Sequence, residues 1–280
     1  MRCMPYFLSV FLLPIVIFAS DAIRSWDRSD LAVFSKDIVH GEATMDGVFQ
    51  VKCLPAAVIT NLLPGGLSLK NTDLCKDGFH PALFFFGAQK NLRAVSKIGS
   101  ILVSKRYNES IMAVFSVAYE NAAERFLYVT QIKVDSAAAW IFAQPYGGLN
   151  KNMSTINSEV GQQTIYSKDS SKLLASANWA VSESADRNKL AENFNKIEQY
   201  FADRAIAKRG TGFTCFGFNW NFKVGKIKSS QLEMKLGDEY VSAALSGTYS
   251  DNLSLEDSPL GSFYSSNSWV MQLPLSCPQN

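Results

Sequence analysis

The stretch RYNESIMAVFSV, residues 106–117, passes from polar to apolar within a few residues. Its first part, Arg106–Ser110, is mostly polar, whereas Ile111–Val117 is dominated by β-branched, aromatic and other apolar side chains. A short apolar run of this composition predicts a buried β-strand. The polar part is then expected to lie in the turn at which this strand begins.

Similar apolar runs occur on both sides of this strand, and glycine, proline, asparagine and aspartate separate them. The clearest runs are Val48–Val51, Ala82–Phe86 and Phe126–Val129. After Gly212 the pattern returns in Phe213–Phe222, Ser230–Leu236, Tyr240–Leu245 and Trp269–Leu275. The spacing of the turn residues favours an antiparallel sheet over βαβ units.

Two segments show helical spacing instead. Apolar residues at positions 58, 59, 62 and 63 predict a short helix between Pro55 and Pro64. A longer helix is predicted from Ser184 to Lys208, ending at Gly210. Its apolar stripe, which we expect to pack in the core, is Leu190, Phe194, Ile197, Phe201 and Ala205. The prediction is therefore an α+β fold: a large antiparallel β-sheet or barrel with a few packed helices.

The N-terminus has the order of a secretory signal peptide. Arg2 precedes an apolar run, Tyr6–Phe18, and the small residues Ala19 and Ala22 follow as cleavage positions. The run is short for a membrane span, although an uncleaved anchor is the alternative. We therefore expect residues 1–22 to be a signal peptide and 23–280 to be one exported domain that is not inserted in a membrane.

The composition excludes some partners. Hydrophobic residues make up 47% of the chain and charged residues 19%, which are ordinary values for a globular protein. The net charge of +2 is too small to indicate binding to nucleic acid or to an anionic membrane surface. We expect no nucleic-acid partner, and the sequence leaves a homo-oligomer open.

Four cysteines remain after removal of the signal peptide: Cys53, Cys75, Cys215 and Cys277. In an exported chain they suggest two disulfides, with three connectivities possible. Proximity in sequence favours Cys53–Cys75 and Cys215–Cys277. Three sequons, at Asn108, Asn152 and Asn252, mark glycan positions on surface turns if the host is a eukaryote.

The sequence lacks the common catalytic and metal-binding motifs. It has no G-x-S-x-G, no phosphate-binding glycine loop, no H-E-x-x-H and no C-x-x-C. The only histidines are His40, in a polar N-terminal segment, and His80, next to Pro81 in an expected turn. A serine–histidine–aspartate triad and a zinc site are therefore not expected, nor is any other metal or organic cofactor.

A second informative stretch is WIFAQPYGGLNKN, residues 140–152, in which an apolar run ends at Gln144–Gly148 and Lys151 follows. It is either a simple turn or the rim of a site. Together with Tyr107-x-Glu109-Ser110 before a strand, Pro145 downstream and Leu62–Leu67 upstream, it resembles the acetoacetate decarboxylase-like superfamily. That family has a Tyr-x-Glu-Ser element, followed later by a Pro-Lys-Lys element.

The resemblance implies a particular chemistry. In this family a neutral lysine attacks a ketone and forms a Schiff base, whose cation accepts the electrons released when carbon dioxide leaves. The lysine is kept neutral by a desolvated pocket and a second, cationic lysine. No cofactor takes part, and a buried carboxylate positions the substrate or helps to transfer protons.

The sequence departs from the family pattern at the lysine pair. Tyr146-Gly147 follows Pro145, and Lys151 lies five residues beyond the expected position. Lys52-Cys53 stands where the family has an arginine before its first helix. Five residues correspond to more than about 10 Å of extended chain.

Three residues are candidates for the site. By resemblance, Glu109 is a pocket carboxylate; otherwise it is a solvated turn residue. Tyr146 is a hydrogen-bonding group or proton donor; otherwise it is a turn aromatic that packs on the sheet. Lys151 is a relocated Schiff-base lysine; otherwise it is an exposed lysine, as this residue type usually is.

Two functions follow from these alternatives. The first is a lyase that acts on a small keto acid or a related carbonyl compound. The second is a binding protein that keeps the fold, has lost the catalytic lysine and holds a small carbonyl or carboxylate ligand. The resemblance favours the lyase, and the residues at Tyr146-Gly147 favour the binding protein.

Overall fold

The computed structural model describes residues 40–96, 99–119, 123–143, 149–182, 187–201, 203–209, 212–222, 227–250, 261–272 and 275–277. The helices are α1 (Ala56–Thr60), α2 (Ala137–Ala143) and α3 (Arg187–Phe201). The strands are β1 (His40–Pro55), β2 (Leu67–Leu69), β3 (Phe79–Ser96), β4 (Gly99–Tyr119), β5 (Phe126–Val134), β6 (Lys151–Glu159), β7 (Gln162–Ser167), β8 (Leu173–Ser182), β9 (Arg204–Arg209), β10 (Gly212–Phe216), β11 (Phe218–Asn221), β12 (Ile227–Leu236), β13 (Gly247–Ser250), β14 (Ser262–Gln272) and β15 (Leu275–Ser276). They all belong to one compact unit, Ile38–Asn280.

The fifteen strands form one sheet in the order β15-β10-β9-β5-β6-β7-β8-β12-β14-β1-β3-β4-β2, with β11 beside β14 and β13 beside β12. Strand β4 also pairs with β5. This pairing closes the strands from β5 to β4 into a ring. The α+β prediction of a large sheet or barrel with a few helices is confirmed.

The sheet is mixed rather than antiparallel throughout. Strand β5 runs parallel to β6 and to β9, and the remaining pairs are antiparallel. A parallel pair requires a crossover connection, which is often a helix. Helix α2 lies in the connection from β5 to β6. The prediction was wrong for these two pairs because periodicity does not indicate strand direction.

Both faces of the long strands are buried. In β1, Phe49 and Val51 belong to one apolar cluster, and Val48 and Leu54 belong to a second. A strand buried on both faces appears in sequence as a continuous apolar run, as in Phe84-Phe85-Phe86. We call the first group the Phe49 cluster; the Phe49 ring stacks on that of Phe263 with their centroids 5.2 Å apart.

Strands β1 and β3 approach each other closely at Gly47 and Gly87, which are paired. A Cβ atom on either glycine would clash with the backbone of the other strand. Only glycine is therefore compatible with this contact, which holds β1 against the part of β3 that precedes the site.

The helices differ from the prediction at their ends. Helix α1 lies within the predicted segment, and Phe194, Ile197 and Phe201 of α3 are buried as expected. The prediction that α3 continues to Lys208 was wrong, because Ala205 lies in β9 and pairs with Leu127 of β5. Here sheet pairing overrides the helical periodicity. Ser184, Gly210 and the side chain of Leu190 lie outside the described residues.

Two further predictions were wrong in placement. Tyr240–Leu245 forms turns rather than a strand, with the Tyr240 amide donating to the Gly237 carbonyl at 3.0 Å. His80 lies within β3 rather than in a turn, and its Nε2 is 2.7 Å from the Phe115 carbonyl oxygen. Burial lowers the pKa of His80 below its usual value. His40 begins β1 and is buried rather than part of a polar tail.

The predicted signal peptide, residues 1–22, and the start of the domain at residue 23 lie outside the described residues. Within the part that is described, no helix is long and apolar enough to cross a membrane. The localisation therefore stays a prediction.

The favoured disulfides, Cys53–Cys75 and Cys215–Cys277, are both present. The sequons fit surface turns less well. Asn108 lies in β4 rather than in a turn, and its side-chain amide donates to Asp135 Oδ2 at 2.7 Å. Asn152 is exposed in β6, and Asn252 lies outside the described residues.

Replacing both Cys53 and Cys75 by alanine is expected to lower the free energy of unfolding by about 3 kcal/mol, because this disulfide closes a loop of 22 residues in the unfolded chain. Urea titration followed by tryptophan fluorescence measures the change. An unfolding midpoint equal to that of the oxidised wild type would show that the Cys53–Cys75 disulfide does not stabilise the fold.

Candidate functional site

Strand β4 presents alternate side chains to the Phe49 cluster. Tyr107, Glu109, Ile111 and Ala113 share one face because side chains alternate along a strand. The strand begins at Gly99 rather than Ile111, so Glu109 lies in mid-strand and is completely buried. The alternative in which Glu109 is a solvated turn residue was therefore wrong, because β4 extends back through polar residues to pair with β3.

Lys151 is brought to Glu109 by the parallel pairing of β6. Lys151 pairs with Ile132 of β5, and Glu109 pairs with Val134 of the same strand. Nζ of Lys151 lies 3.0 Å from Oε1 of Glu109, and the two side chains are 7% and 1% exposed. The exposed-lysine alternative was therefore wrong. Distance along the sequence was a poor guide, because β6, which follows α2, pairs with β5.

Asn150 fixes the backbone just before Lys151. It has a positive φ of 48°, which asparagine tolerates better than most residues. Its amide donates to the carbonyl oxygens of Val129 and Thr130 at 3.3 and 2.8 Å. These bonds anchor the start of β6 to β5 and direct Lys151 into the cluster.

Tyr107 forms another side of this site. Its ring centroid lies 5.6 Å from Nζ of Lys151, within the range of a cation–π contact. Burial, followed by the negative charges of Glu109 and Asp135, raises the pKa of Tyr107 well above 10. The phenol thus keeps its proton at neutral pH and is available as a hydrogen-bond donor.

A buried chain of hydrogen bonds holds the other oxygen of Glu109. Nε2 of Gln89 donates to Oε2 of Glu109, and Nε1 of Trp269 donates to Oε1 of Gln89 at 3.1 Å. Because an indole nitrogen can only donate, it fixes which end of the amide faces Glu109. Gln89 and Trp269 are 4% exposed each.

Gln89 and Trp269 were not among the residues predicted for the site. The sequence does contain a signal for Gln89, since this polar residue lies on the same face of β3 as Leu83 and Phe85, which is otherwise apolar. Trp269 had none, because 180 residues separate it from Gln89 and only the pairing of β1 with both β3 and β14 brings them together.

Replacing Trp269 by phenylalanine is expected to lower the free energy of unfolding by about 1–3 kcal/mol, because the buried Oε1 of Gln89 loses its hydrogen-bond donor. Urea unfolding measures the change. Trp220→Phe serves as a control, because it removes an indole from the same cluster without breaking a hydrogen bond within the described residues. Equal losses in the two variants would contradict a stabilising role for the bond between Trp269 and Gln89.

These groups face a small cavity of about 50 Å³. It has room for roughly three or four non-hydrogen atoms, by comparison with the space a buried water needs. Its walls are largely apolar and include Phe49, Phe85, Phe142, Trp220 and Met271. Among the described residues that line it, Lys151 is the sole cation and Glu109 the sole carboxylate. Such a cavity can hold the reacting end of a small organic molecule beside one amine and one acid.

Neither Tyr146 nor Lys52 is among the described residues that line the cavity. Tyr146 lies outside the described residues, although Ala143 and Leu149 on either side of its segment line the cavity. Lys52, considered in place of the family's arginine, lies on the opposite face of β1 from Phe49. Its Nζ is 5.5 Å from the centroid of the Tyr249 ring.

The described part of the chain contains no group of three or more histidine, cysteine, aspartate or glutamate side chains placed to hold a metal. The acid–base groups that the structure brings together are Lys151, Glu109 and Tyr107. This set can exchange protons and offer a nucleophile.

The structure is similar to three solved enzymes. Acetoacetate decarboxylase from Legionella pneumophila subsp. pneumophila str. Philadelphia 1 matches 93% of this chain and 93% of its own, with a TM-score of 0.53 and 11% identity. An acetoacetate decarboxylase-like enzyme from Sphingomonas wittichii RW1 matches 93% of this chain and 99% of its own, with a TM-score of 0.52 and 13% identity. The enduracididine biosynthesis enzyme MppR, complexed with the condensation product of pyruvate and imidazole 4-carboxaldehyde, matches 83% and 86%, with a TM-score of 0.51 and 10% identity.

No protein-family model and no curated protein matches the sequence. The structural matches therefore establish the fold: this chain has an acetoacetate decarboxylase-like fold at low sequence identity. The resemblance inferred from Tyr107-x-Glu109-Ser110 is confirmed at that level.

Proposed function

We propose that this protein is an enzyme that forms a Schiff base between Lys151 and a small carbonyl compound, as a lyase acting on a keto acid or a related compound does. The proposal rests on the ion pair between Lys151 and Glu109, whose Nζ and Oε1 atoms lie 3.0 Å apart in a buried and largely apolar cavity. A lysine amine reacts with a carbonyl only when it is neutral. A neighbouring carboxylate can take up the proton that the amine must lose.

The proton balance of the first steps closes within the pair. Glu109 accepts a proton from the Lys151 ammonium, which leaves a neutral amine and a neutral acid. The amine nitrogen then bonds to the carbonyl carbon, the C=O π electrons move to oxygen, and a proton moves from nitrogen to that oxygen. Glu109 returns its proton to the resulting hydroxyl, which leaves as water. The product is an iminium cation next to the Glu109 carboxylate.

The iminium cation is the electron sink for the next step. A bond at the adjacent carbon breaks and its electron pair enters the iminium, giving a neutral enamine; with a keto acid, carbon dioxide leaves. A proton from solvent, delivered by Glu109, then adds to carbon, and water hydrolyses the imine. Tyr107, which stays protonated, can donate a hydrogen bond to the substrate oxygen.

A specific observation favours the second candidate, a binding protein without catalysis. Tyr146-Gly147 stands where the family resemblance implies a pair of lysines, and Lys151 is the sole cation among the described cavity residues. Those described residues thus do not include the second cationic group that helps to keep the family's lysine neutral. Under this alternative the ion pair remains closed and the ligand binds without a covalent bond.

Reductive trapping tests the proposal. The folded protein is incubated with acetone and sodium borohydride, and its intact mass is measured. One isopropyl group per chain, added faster than to the urea-unfolded protein, is the expected result. Labelling no faster than in the unfolded chain would contradict the proposal, and ligand-dependent thermal stabilisation without labelling would support the binding protein.

We propose in addition that the protein acts outside the cytoplasm. The signal-peptide pattern of residues 1–22 and the two disulfides support this location, since structural disulfides are typical of oxidising compartments. Sequencing of the mature N-terminus should find a start after Ala19 or Ala22. A mature protein that begins at Met1 would contradict export through cleavage.

A further inference from the structure

We infer that the Lys151 site accepts an uncharged ketone or aldehyde in preference to a keto acid. The inference rests on the proposed function and narrows its substrate class. It comes from the charge balance of the cavity, in which one buried cation already has one buried anion as its partner.

Within the described part of the chain, the cations near these strands do not face the cavity. Lys52 lies on the opposite face of β1, and Lys133 lies on the opposite face of β5 from the cavity residue Ile132. Lys90 forms an ion pair with Asp46. The described cavity thus offers no second cation to a substrate carboxylate.

The charge of the pair stays balanced through the proposed reaction. The resting state holds an ammonium and a carboxylate, proton transfer makes both neutral, and the iminium again faces a carboxylate. A substrate carboxylate would add one uncompensated negative charge at each stage. Burial of such a charge in an apolar cavity is strongly unfavourable. An uncharged substrate adds none.

The remaining polar groups of the cavity are neutral donors. Tyr107 keeps its phenol proton, and Trp220 has a buried indole N–H without a hydrogen-bond partner among the described residues. The Gln89 amide is already bonded to Glu109 and Trp269. A neutral donor suits a carbonyl or hydroxyl oxygen, and the apolar walls suit alkyl groups.

An uncharged substrate changes the bond that is broken. Instead of losing carbon dioxide, the iminium can lose a proton from the adjacent carbon. The C–H electron pair enters the iminium and gives the enamine, and Glu109 takes the proton. Reversal of this step in deuterium oxide places deuterium on that carbon.

A matched pair of ligands tests the inference. Acetoacetate and 4-methyl-2-pentanone have the same methyl ketone and the same number of non-hydrogen atoms, but only the first carries a charge. Each rate of borohydride trapping on Lys151 is divided by the rate at which the same compound is trapped on butylamine. This ratio removes the difference in intrinsic reactivity between the two compounds. The corrected rate for the ketone should exceed that for acetoacetate by at least about tenfold.

The outcomes separate this inference from the proposed function. If acetoacetate is trapped on Lys151 as well as or better than the ketone, the inference is overturned and the Schiff-base function stands. If neither compound labels Lys151 although acetone does, the inference fails and the Schiff-base function stands. If acetone does not label Lys151 either, the proposed function fails and the inference fails with it.

Glu109→Gln provides a second test that needs no catalysis. Without the carboxylate, the ammonium is the uncompensated charge, so acetoacetate should now raise the melting temperature more than the ketone does. In the wild type the order should be the reverse. A folded Glu109→Gln protein that still favours the ketone would overturn the inference; if that variant does not fold, the wild-type order alone decides.

Discussion

Replacement of Lys151 by methionine is expected to abolish the exchange of the carbonyl oxygen of acetone with water. Each cycle of imine formation and hydrolysis replaces this oxygen, so [18O]acetone loses its label at a rate that reports turnover. Methionine fills a similar volume but has no amine, so the rate should fall by at least about 10³-fold, as expected when a nucleophile is removed. Mass spectrometry of the recovered acetone gives the rate.

Lys133→Met is the matched control for this experiment. Lys133 is a second partly buried lysine, and burial lowers its pKa, which increases its neutral fraction and makes it a rival nucleophile. Its replacement should leave the exchange unchanged. Lys151→Arg separates loss of the nucleophile from a folding defect. Arginine retains the positive charge next to Glu109, but it is always protonated and cannot attack a carbonyl. Exchange at the wild-type rate in both Lys151 variants would contradict the proposed role.

The ion pair between Lys151 and Glu109 is also expected to determine the stability of the fold. Glu109→Gln should lower the free energy of unfolding by about 3–5 kcal/mol, because it leaves the Lys151 ammonium buried without its counter-charge. Lys151→Met should also destabilise the protein, because it leaves the Glu109 carboxylate buried without its counter-charge. The double variant should recover most of the loss, since it buries no charge. Urea unfolding of the four proteins gives the coupling free energy.

The coupling also distinguishes an ion pair from two independent residues. If the effects of the single substitutions simply add in the double variant, Lys151 and Glu109 do not stabilise each other in the folded state. That result would remove the basis for proton transfer between them.

Local sequence identified the elements that depend on local chemistry. The apolar runs around Ile111–Val117 and Ala82–Phe86 are strands because their side chains fill both faces of a buried sheet. The disulfide Cys53–Cys75 followed from proximity in sequence. The fold was accessible through Tyr107-x-Glu109-Ser110, since this element lies on the strand that borders the cavity.

The parts that were missed depend on long-range pairing. The helical stripe extended to Ala205, but pairing with β5 places that residue in a strand. For Lys151 the sequence left a relocated Schiff-base lysine and an exposed lysine both open, because only the parallel pairing of β6 with β5 places it beside Glu109. The position of a side chain in this cavity is set by which strands pair, and a single sequence does not contain that information in local form.

The placement of Lys151 also bears on the choice between the two functions. Tyr146-Gly147, where the resemblance implies two lysines, favoured a binding protein that had lost the nucleophile, whereas the resemblance itself favoured a lyase. The structure places Lys151, the candidate for a relocated lysine, beside Glu109 at the start of β6. An amine is therefore present in the cavity, although residues 144–148, where the family resemblance implies two lysines, contain none.

The position of the trapped carbonyl identifies the amine that reacts. After reduction with borohydride in the presence of acetone, the protein is digested with trypsin, which does not cleave after an alkylated lysine. We expect one modified peptide, Val134–Lys168, carrying its isopropyl group on Lys151. A label on Lys133, or one spread over exposed lysines such as Lys172, would contradict the assignment of Lys151 as the Schiff-base lysine.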